Sequence, residues 1–344
     1  MSTSDAPRSS HLALCRILDA NLDRAREGLR VIEDWCRFGL DQAQLTDECK
    51  HLRQELAQWH TPELRAARDT PGDLGTALTH PKEAERENIA QVLQANLCRV
   101  EEALRVLEEY GKVYHPAMGA ACKHMRYRVY SLDTQLMGHQ RQRALQKAHL
   151  YLVTSPQEHL LATVEAALQG GVRLVQYRDK TADDRIRLQN GEKLCLLCHR
   201  YGALFIVNDR PDIALAVNAD GVHLGQQDLP VRLARQILGP QRLVGRSTHC
   251  PEDLQRAIQE GADYIGVGPV YETPTKAGRP AAGLDYVRYA LQQATLPWFA
   301  IGGIDLTNLS EVLAAGAQRV AIVRAIMQAA DPKQVTQSFL SHLI

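Results

Sequence analysis

The sequence carries no net charge. Its 40 Lys and Arg are balanced by 40 Asp and Glu. The basic excess that marks nucleic-acid binders is missing, so no nucleic-acid partner is expected. No apolar run approaches the roughly 18 residues of a membrane span, so no membrane partner is expected either. The N-terminal stretch MSTSDAPRSS lacks the apolar centre of a secretory signal. The 8 cysteines have no paired spacing. Without an export signal they read as reduced thiols of a cytoplasmic protein. What is present is ordinary globular material, 45% hydrophobic and 23% charged. At 344 residues the chain has length for two domains.

The two halves follow different patterns. From Leu12 to about Met137 the chain is rich in Ala, Leu, Glu, Arg and Gln. Leu22, Ala25, Leu29, Ile32 and Cys36 step by three and four, which is one face of a helix. Thr61–Pro81 interrupts with Pro62, Pro71, Gly72, Gly75 and Pro81 and reads as a long loop. The half is also internally repeated. Ala20–Phe38 (ANLDRAREGLRVIEDWCRF) and Ala95–Val113 (ANLCRVEEALRVLEEYGKV) share nine of nineteen positions. CKHLR at Cys49 and CKHMR at Cys122 echo each other behind the two copies. Each unit is thus a long helix plus a second helix, and the two apolar seams should bury each other. Residues 1–138 are expected to form this helical domain and 139–147, within the polar stretch GHQRQRALQK, a linker.

From 148 to 344 short apolar runs alternate with helical stretches. Strands are expected at Leu150–Val153, Arg173–Tyr177, Leu204–Val207, Gly221–Leu224, Leu243–Gly245, Tyr264–Val267, Trp298–Ile301 and Val320–Val323. Eight such units point to an α/β fold, a compact (β/α)₈ TIM barrel. An open doubly wound sheet is the weaker alternative, because no GxGxxG follows the first strand.

Barrel chemistry sits at the strand C-termini. After strand two, period-two alternation puts Gln176, Arg178 and Lys180 on one side, a match for an oligophosphate. Asn208 and Asp209 follow strand three, and Asp228 lies just beyond strand four. Two carboxylates beside a phosphate site suit Mg²⁺. Ser247-Thr248-His249, with their hydroxyl donors, follow strand five. Thr273-Pro274-Thr275-Lys276 follow strand six, Gly302-Gly303 strand seven, and Val323-Arg324 strand eight. Glycine-rich backbone after strands seven and eight is a common phosphate position. Each residue alone has a plainer role: an Asp can cap a helix, and a Lys can simply be solvated. Together they describe two anion sites in one pocket, one of them metal-assisted. No Ser-His-Asp or Cys-His order accompanies them.

These segments resemble thiamine-phosphate synthase. The matching pieces are Gln176–Lys180, Asn208–Arg210, Asp220–Asp228, Gly245–His249, Gly266–Val270, Thr273–Lys276 and Ile301–Ile304. The first half resembles a helical extension fused to this enzyme in some bacteria, for which the resemblance supplies no activity. The family joins an aminopyrimidine diphosphate to carboxythiazole or hydroxyethylthiazole phosphate by a dissociative substitution, and releases pyrophosphate. The resemblance implies that Gln176, Tyr177, Arg178, Asp179, Lys180, Asn208, Ser247 and Lys276 bind the pyrimidine diphosphate. Arg178, Lys180, Ser247 and Lys276 are the implied catalytic residues. Thr273, Pro274, Thr275, Gly303, Val323 and Arg324 would meet the thiazole phosphate, and Asp209 and Asp228 would hold Mg²⁺. Arg324 departs from the small hydroxyl residue the family often has there. Two other readings remain at this level: a thiazole tautomerase, and a non-catalytic thiamine-phosphate sensor or scaffold. The expected partners are small-molecule substrates, and assembly into a homo-oligomer is left open.

Three further signals stand apart. Cys195-Leu196-Leu197-Cys198-His199 matches a haem-attachment spacing but lies in an expected amphipathic helix, so it reads as helix residues facing the barrel. Lys180 and Lys276 read as phosphate cations rather than Schiff-base lysines. Arg24/Arg99, Glu27/Glu102 and Arg30/Arg105 recur in the repeat, which fits ion pairing between successive helix turns. The sharper alternative is a ligand or partner site formed with the Arg68–Asp73 loop.

Overall fold

The computed structural model describes residues 6–73, 86, 89–273 and 280–343. It divides into two compact units, Met1–Met137 and Gly138–Ile344.

The first unit is helical: α1 (Ala6–Asp34), a π turn (Trp35–Gly39), α2 (Ala43–Gln58), α3 (Pro62–Ala66), α4 (Ile89–Tyr114) and the part of α5 (Pro116–Lys147) up to Met137, the rest of α5 belonging to the second unit. α3 falls inside the expected loop. Its start signals are local: Thr61 Oγ1 accepts from Leu64 N at 3.3 Å, and Pro62 opens the first turn. The repeated long helices pack along each other, and Gly28 sits where a Cβ would lie 2.7 Å from Val100. Leu22, Leu29 and Ile32 of α1 share one core with Leu97, Leu104 and Leu107 of α4. Much of the repeated polarity is structural. Asn21 and Asn96 each donate to the carbonyl one turn back at 2.8 Å. Buried Glu33 takes Arg53 at 2.6 Å and buried Glu108 takes Arg126 at 2.8 Å. Arg30 and Arg105 extend the same pairs at 3.6 and 3.2 Å.

The second unit is a closed barrel of eight parallel strands in sequence order. They are β1 (Leu150–Val153), β2 (Leu174–Tyr177), β3 (Leu204–Asn208), β4 (Gly221–Leu224), β5 (Leu243–Thr248), β6 (Tyr264–Val267), β7 (Trp298–Ile301) and β8 (Val320–Ile322). The connecting helices are α6 (Leu160–Gln169), α7 (Asp184–Arg200), α8 (Pro211–Ala216), α9 (Val231–Leu238), α10 (Pro251–Gln259), α11 (Gly283–Gln293), α12 (Leu309–Ala314), α13 (Arg324–Met327) and α14 (Pro332–Leu343). Alternation sorts the strand residues into two layers. Val175, Phe205, Val222, Ile265 and Ala300 face the helices. Tyr151, Leu174, Ile206, Leu243, Tyr264 and Phe299 fill the interior. Gly245 makes room there, since a Cβ would come within 2.2 Å of the Tyr264 ring.

Residues 139–147 are helix rather than linker. Leu145 is fully buried with Leu174, Leu204 and Leu243 in the barrel interior cluster. The polar neighbours of Leu145 are paired: Arg141 Nε donates to Asp220 at 2.9 Å and Gln142 to Asp263 at 2.6 Å. Asp220 also accepts from Phe205 N and from His199 Nε2, both at 2.9 Å. Cys195 and Cys198 are buried in the layer between strands and helices. The haem-like spacing is thus helix packing plus one ion pair.

Two predictions follow from this packing. Leu145→Ala should cost about 2–4 kcal/mol in urea unfolding, whereas the exposed Lys147→Ala should stay within about 0.5 kcal/mol. The Asp220 hydrogen bond, with Cys195 adding to it, raises the His199 pKa from 6.5 to about 10. A pKa raised in the folded state stabilises fully below the unfolded value and loses that effect as pH passes the folded one. His199→Gln should therefore lower the urea midpoint most below pH 6.5 and least above pH 10.

Candidate active site

The strand C-termini open onto two adjoining cavities. The larger set of polar groups lines one of about 270 Å³: Gln176, Arg178 and Lys180 beyond β2, Asn208 and Asp209 at β3, Asp228 beyond β4 and Ser247 on β5. Period-two alternation accounts for the first three, because Gln176 points into the barrel and Tyr177 away from it. Tyr177 and Asp179, both expected to bind the diphosphate, are not in the lining. Tyr177 packs in the strand–helix layer with its hydroxyl 3.5 Å from Asn190. Asp179 folds its own loop by accepting from Thr181 N, Thr181 Oγ1 and Ala182 N at 2.9–3.0 Å.

Asp209 and Asp228 face each other within hydrogen-bonding reach. Asp209 adopts φ 63°, and its N–H donates to His223 O at 2.8 Å. Lys180 Nζ lies 2.9 Å from Asp209 Oδ2. Burial opposes the charge of Asp209, but hydrogen bonds from Asp228 and Lys180 outweigh it and hold its carboxyl below the usual range. Burial and the Asp209 carboxylate push Asp228 up. Asp228 accepts from Gly225 N at 2.6 Å, and Pro230 rather than Asp228 stands at the α9 N-cap. Two neighbouring carboxylates of unequal acidity are the expected result of two like charges in a partly buried place.

The second cavity, about 290 Å³, is lined by Thr273, Gly302, Gly303, Asp305, Val323 and Arg324 among others. It shares Ile301, Ala321 and Val323 with the first. Gly302 and Gly303 take φ 106° and 67°. A Cβ on them would lie 2.5 Å from Pro269 and 2.7 Å from Tyr271, so both space and conformation require glycine. Arg324 is exposed on the lining. Pro274, Thr275 and Lys276 lie outside the described residues.

Sequence reasoning assigned no role to Tyr151 and His223, which also line the first cavity. They complete a hydrogen-bonded chain across the barrel. Gln176 Nε2 donates to Tyr151 OH at 2.6 Å, and Tyr151 OH meets Tyr264 OH at 2.8 Å. Tyr264 OH lies 3.3 Å from His223 Nδ1, whose Nε2 lies 3.0 Å from Ser247 Oγ. Inward parity on β1, β4 and β6 was the available signal. Thr248, by contrast, turns outward and donates to Gly266 O at 3.0 Å.

A closed parallel barrel with cations, facing carboxylates and a double-glycine turn at its strand C-termini belongs to the class of (β/α)₈ enzymes with the reaction mouth at that end. Comparison narrows the class. A family model described as thiamine monophosphate synthase matches residues 150–326, and one described as the ThiD2 family matches 16–135. A thiamine-phosphate synthase of a Nostoc species is 69% identical over 328 residues, covering 95% of this chain and 93% of the relative. One of Synechocystis is 64% identical, covering 98% of each. The solved thiamine phosphate pyrophosphorylase of Pyrococcus furiosus matches with TM-score 0.53 and 36% identity, covering 58% of this chain and 96% of that one. The chain belongs to the thiamine-phosphate synthase family and is an enzyme of thiamine biosynthesis with that activity.

The chain through Tyr151 gives a direct test. Tyr151→Phe removes the hydroxyl that Gln176 and Tyr264 both use and leaves buried polar atoms without it. Urea unfolding should show a loss of about 1–3 kcal/mol.

Proposed function

We propose that the two adjoining cavities hold the two substrates of the synthase reaction: an aminopyrimidine diphosphate in the Gln176–Ser247 cavity and a thiazole phosphate in the Gly302-Gly303 cavity. The observation that carries this reading is the shared wall of Ile301, Ala321 and Val323. It lets two phosphorylated ligands meet at their reacting ends. Arg178 and Lys180 bind the diphosphate as charge-assisted donors, with Lys276 as a third cation. Asn208 and Ser247 add polar contacts. Gln176 orients the pyrimidine, itself oriented by Tyr151. Thr273, Gly303 and the Val323-Arg324 turn receive the thiazole phosphate, and Pro274 and Thr275 are assigned to the same ligand.

The bond from the pyrimidine methylene to the diphosphate oxygen breaks, and its electron pair leaves with pyrophosphate. The thiazole nitrogen then supplies the pair for the new bond to the methylene carbon. The cations stabilise the charge that develops on the leaving group, and the shared wall keeps water from the methylene cation. No general base is needed. Asp209 and Asp228 fit Mg²⁺, because hard carboxylate oxygens face each other beside the diphosphate cations. When bound, the ion neutralises diphosphate charge.

Arg178→Ala and Asp228→Asn should each lower pyrophosphate release by about 10²–10³-fold or more. Their thermal unfolding should stay close to wild type. Chelation should stop turnover and added Mg²⁺ restore it. Full turnover in the presence of chelator removes Asp209 and Asp228 from the metal role.

A further inference from the structure

The helical unit holds a cluster of charged side chains built from its own residues. Asp19, Asp23 and Arg26 lie on successive turns of α1. His60 comes from the end of α2, Arg65 from α3 and Arg68 from the loop beyond it. Asp23, Arg26, His60, Arg65 and Arg68 line a shallow cavity of about 320 Å³. At its base the side chains of His60 and Asp19 are only 3% and 4% exposed, and His60 Nε2 lies 2.6 Å from Asp19 Oδ1. Arg26, which can only donate, faces His60 Nδ1 at 3.5 Å. Asp23 Oδ1 lies 3.7 Å from the same nitrogen. Arg68 grips Asp19 through Nε at 2.8 Å and NH2 at 3.0 Å, and also reaches Asp23. Burial opposes the charge on Asp19, yet Arg68 and His60 hold its carboxyl below the usual range.

Stability alone does not account for this cluster. The unit already has a continuous apolar core, and buried charge networks are costly to desolvate. The internal repeat supplies a control. The structural polar groups occur in both copies, as Asn21 and Asn96, Glu33 and Glu108, and Arg53 and Arg126. The cluster does not. Where the first copy has Asp19, Asp23 and Arg26, the second has Gln94, Cys98 and Glu101. The scaffold was kept twice and this constellation once.

Charge decides the ligand class. Three guanidinium groups meet two carboxylates, and Arg68 already supplies the positive charge that Asp19 and Asp23 need. A metal ion would have to displace it. The remaining capacity is for an anion. Arg26 Nε is buried without a hydrogen-bond partner. Arg65 is exposed on the rim and has no ion pair among the described residues. Guanidinium forks match phosphate oxygens two at a time.

We propose that this cavity is a second ligand site, for the phosphate group of a phosphorylated small molecule, with Arg26 and Arg65 as its forks on a floor fixed by Asp19, His60 and Arg68. The test uses the full chain with isotope-labelled histidine and inorganic phosphate as the probe. The His60 resonance, identified by its loss in His60→Gln, should shift and saturate as phosphate is added. In the double variant Arg26→Gln/Arg65→Gln the midpoint should rise by about tenfold or more. Arg65→Gln alone, at an exposed position, should raise it part of the way, which keeps the test open if the double variant folds poorly. A His60 signal that does not respond, or that titrates alike in wild type and both variants, overturns the site. So does a signal that moves with a divalent ion and not with phosphate.

Discussion

Closure of eight parallel strands is the constraint on which the barrel unit depends. Once closed, every strand must send alternate residues into a space too narrow for all of them to be large. Tyr151, Tyr264 and Phe299 take that space, and Gly245 gives it up. The same parity that fills the lower interior with apolar side chains brings Gln176, Asn208 and Ser247 to the upper rim. The site is therefore not an addition to the fold. It is the last inward layer, at the level where the interior stops being filled and starts being polar.

That layer is held by two different kinds of interaction. Gln176 and Ser247, on strands across the barrel from each other, are joined through Tyr151, Tyr264 and His223. A buried chain of this sort, hydrogen-bonded at each link, fixes the rotamers of its members. Beside it, Asp209 and Asp228 are in tension, one acidic and one pushed up by burial and by its neighbour. Positive charge relieves the carboxylate pair, and Lys180 pairs directly with Asp209 while reaching Asp228 only through its charge. The hydrogen-bonded chain and the charged pair are thus physically distinct, although they line one cavity.

How much of this was legible in the sequence follows from the same parity. Short apolar runs alternating with helical stretches place the strands within a few residues of the observed ends, since a fully buried parallel strand has little freedom to be anything else. Gln176, Arg178 and Lys180 were separable from their neighbours by alternation. Tyr177 and Asp179 were carried along by contiguity, against the alternation, and lie elsewhere. Tyr151 was hidden because LYLV reads as one apolar run, in which a tyrosine looks like core; its hydroxyl has meaning only beside Gln176 and Tyr264. The 139–147 segment misled for the opposite reason. Its polar residues suggested solvent, but their partners Asp220 and Asp263 are far along the chain, and Leu145, with Ala144 beside it, packs on the barrel interior.

The helical unit shows what an internal repeat can and cannot report. Identity between copies marks what two equivalent helices both need: a leucine seam, a back-bonded Asn and a buried Glu with its Arg. Charge repeated between copies therefore argued for architecture, and Arg30 and Arg105, paired to Glu33 and Glu108, bear that role. Individual chemistry has to be sought where the copies part. They part at Asp19, Asp23 and Arg26, the positions on α1 that turn toward His60 and Arg68. A scaffold built by duplication needs its polar supports twice but a ligand site only once, so departure from symmetry is the more informative signal. In this unit that departure coincides with a deeply buried imidazole–carboxylate pair, His60 and Asp19, which packing alone does not require.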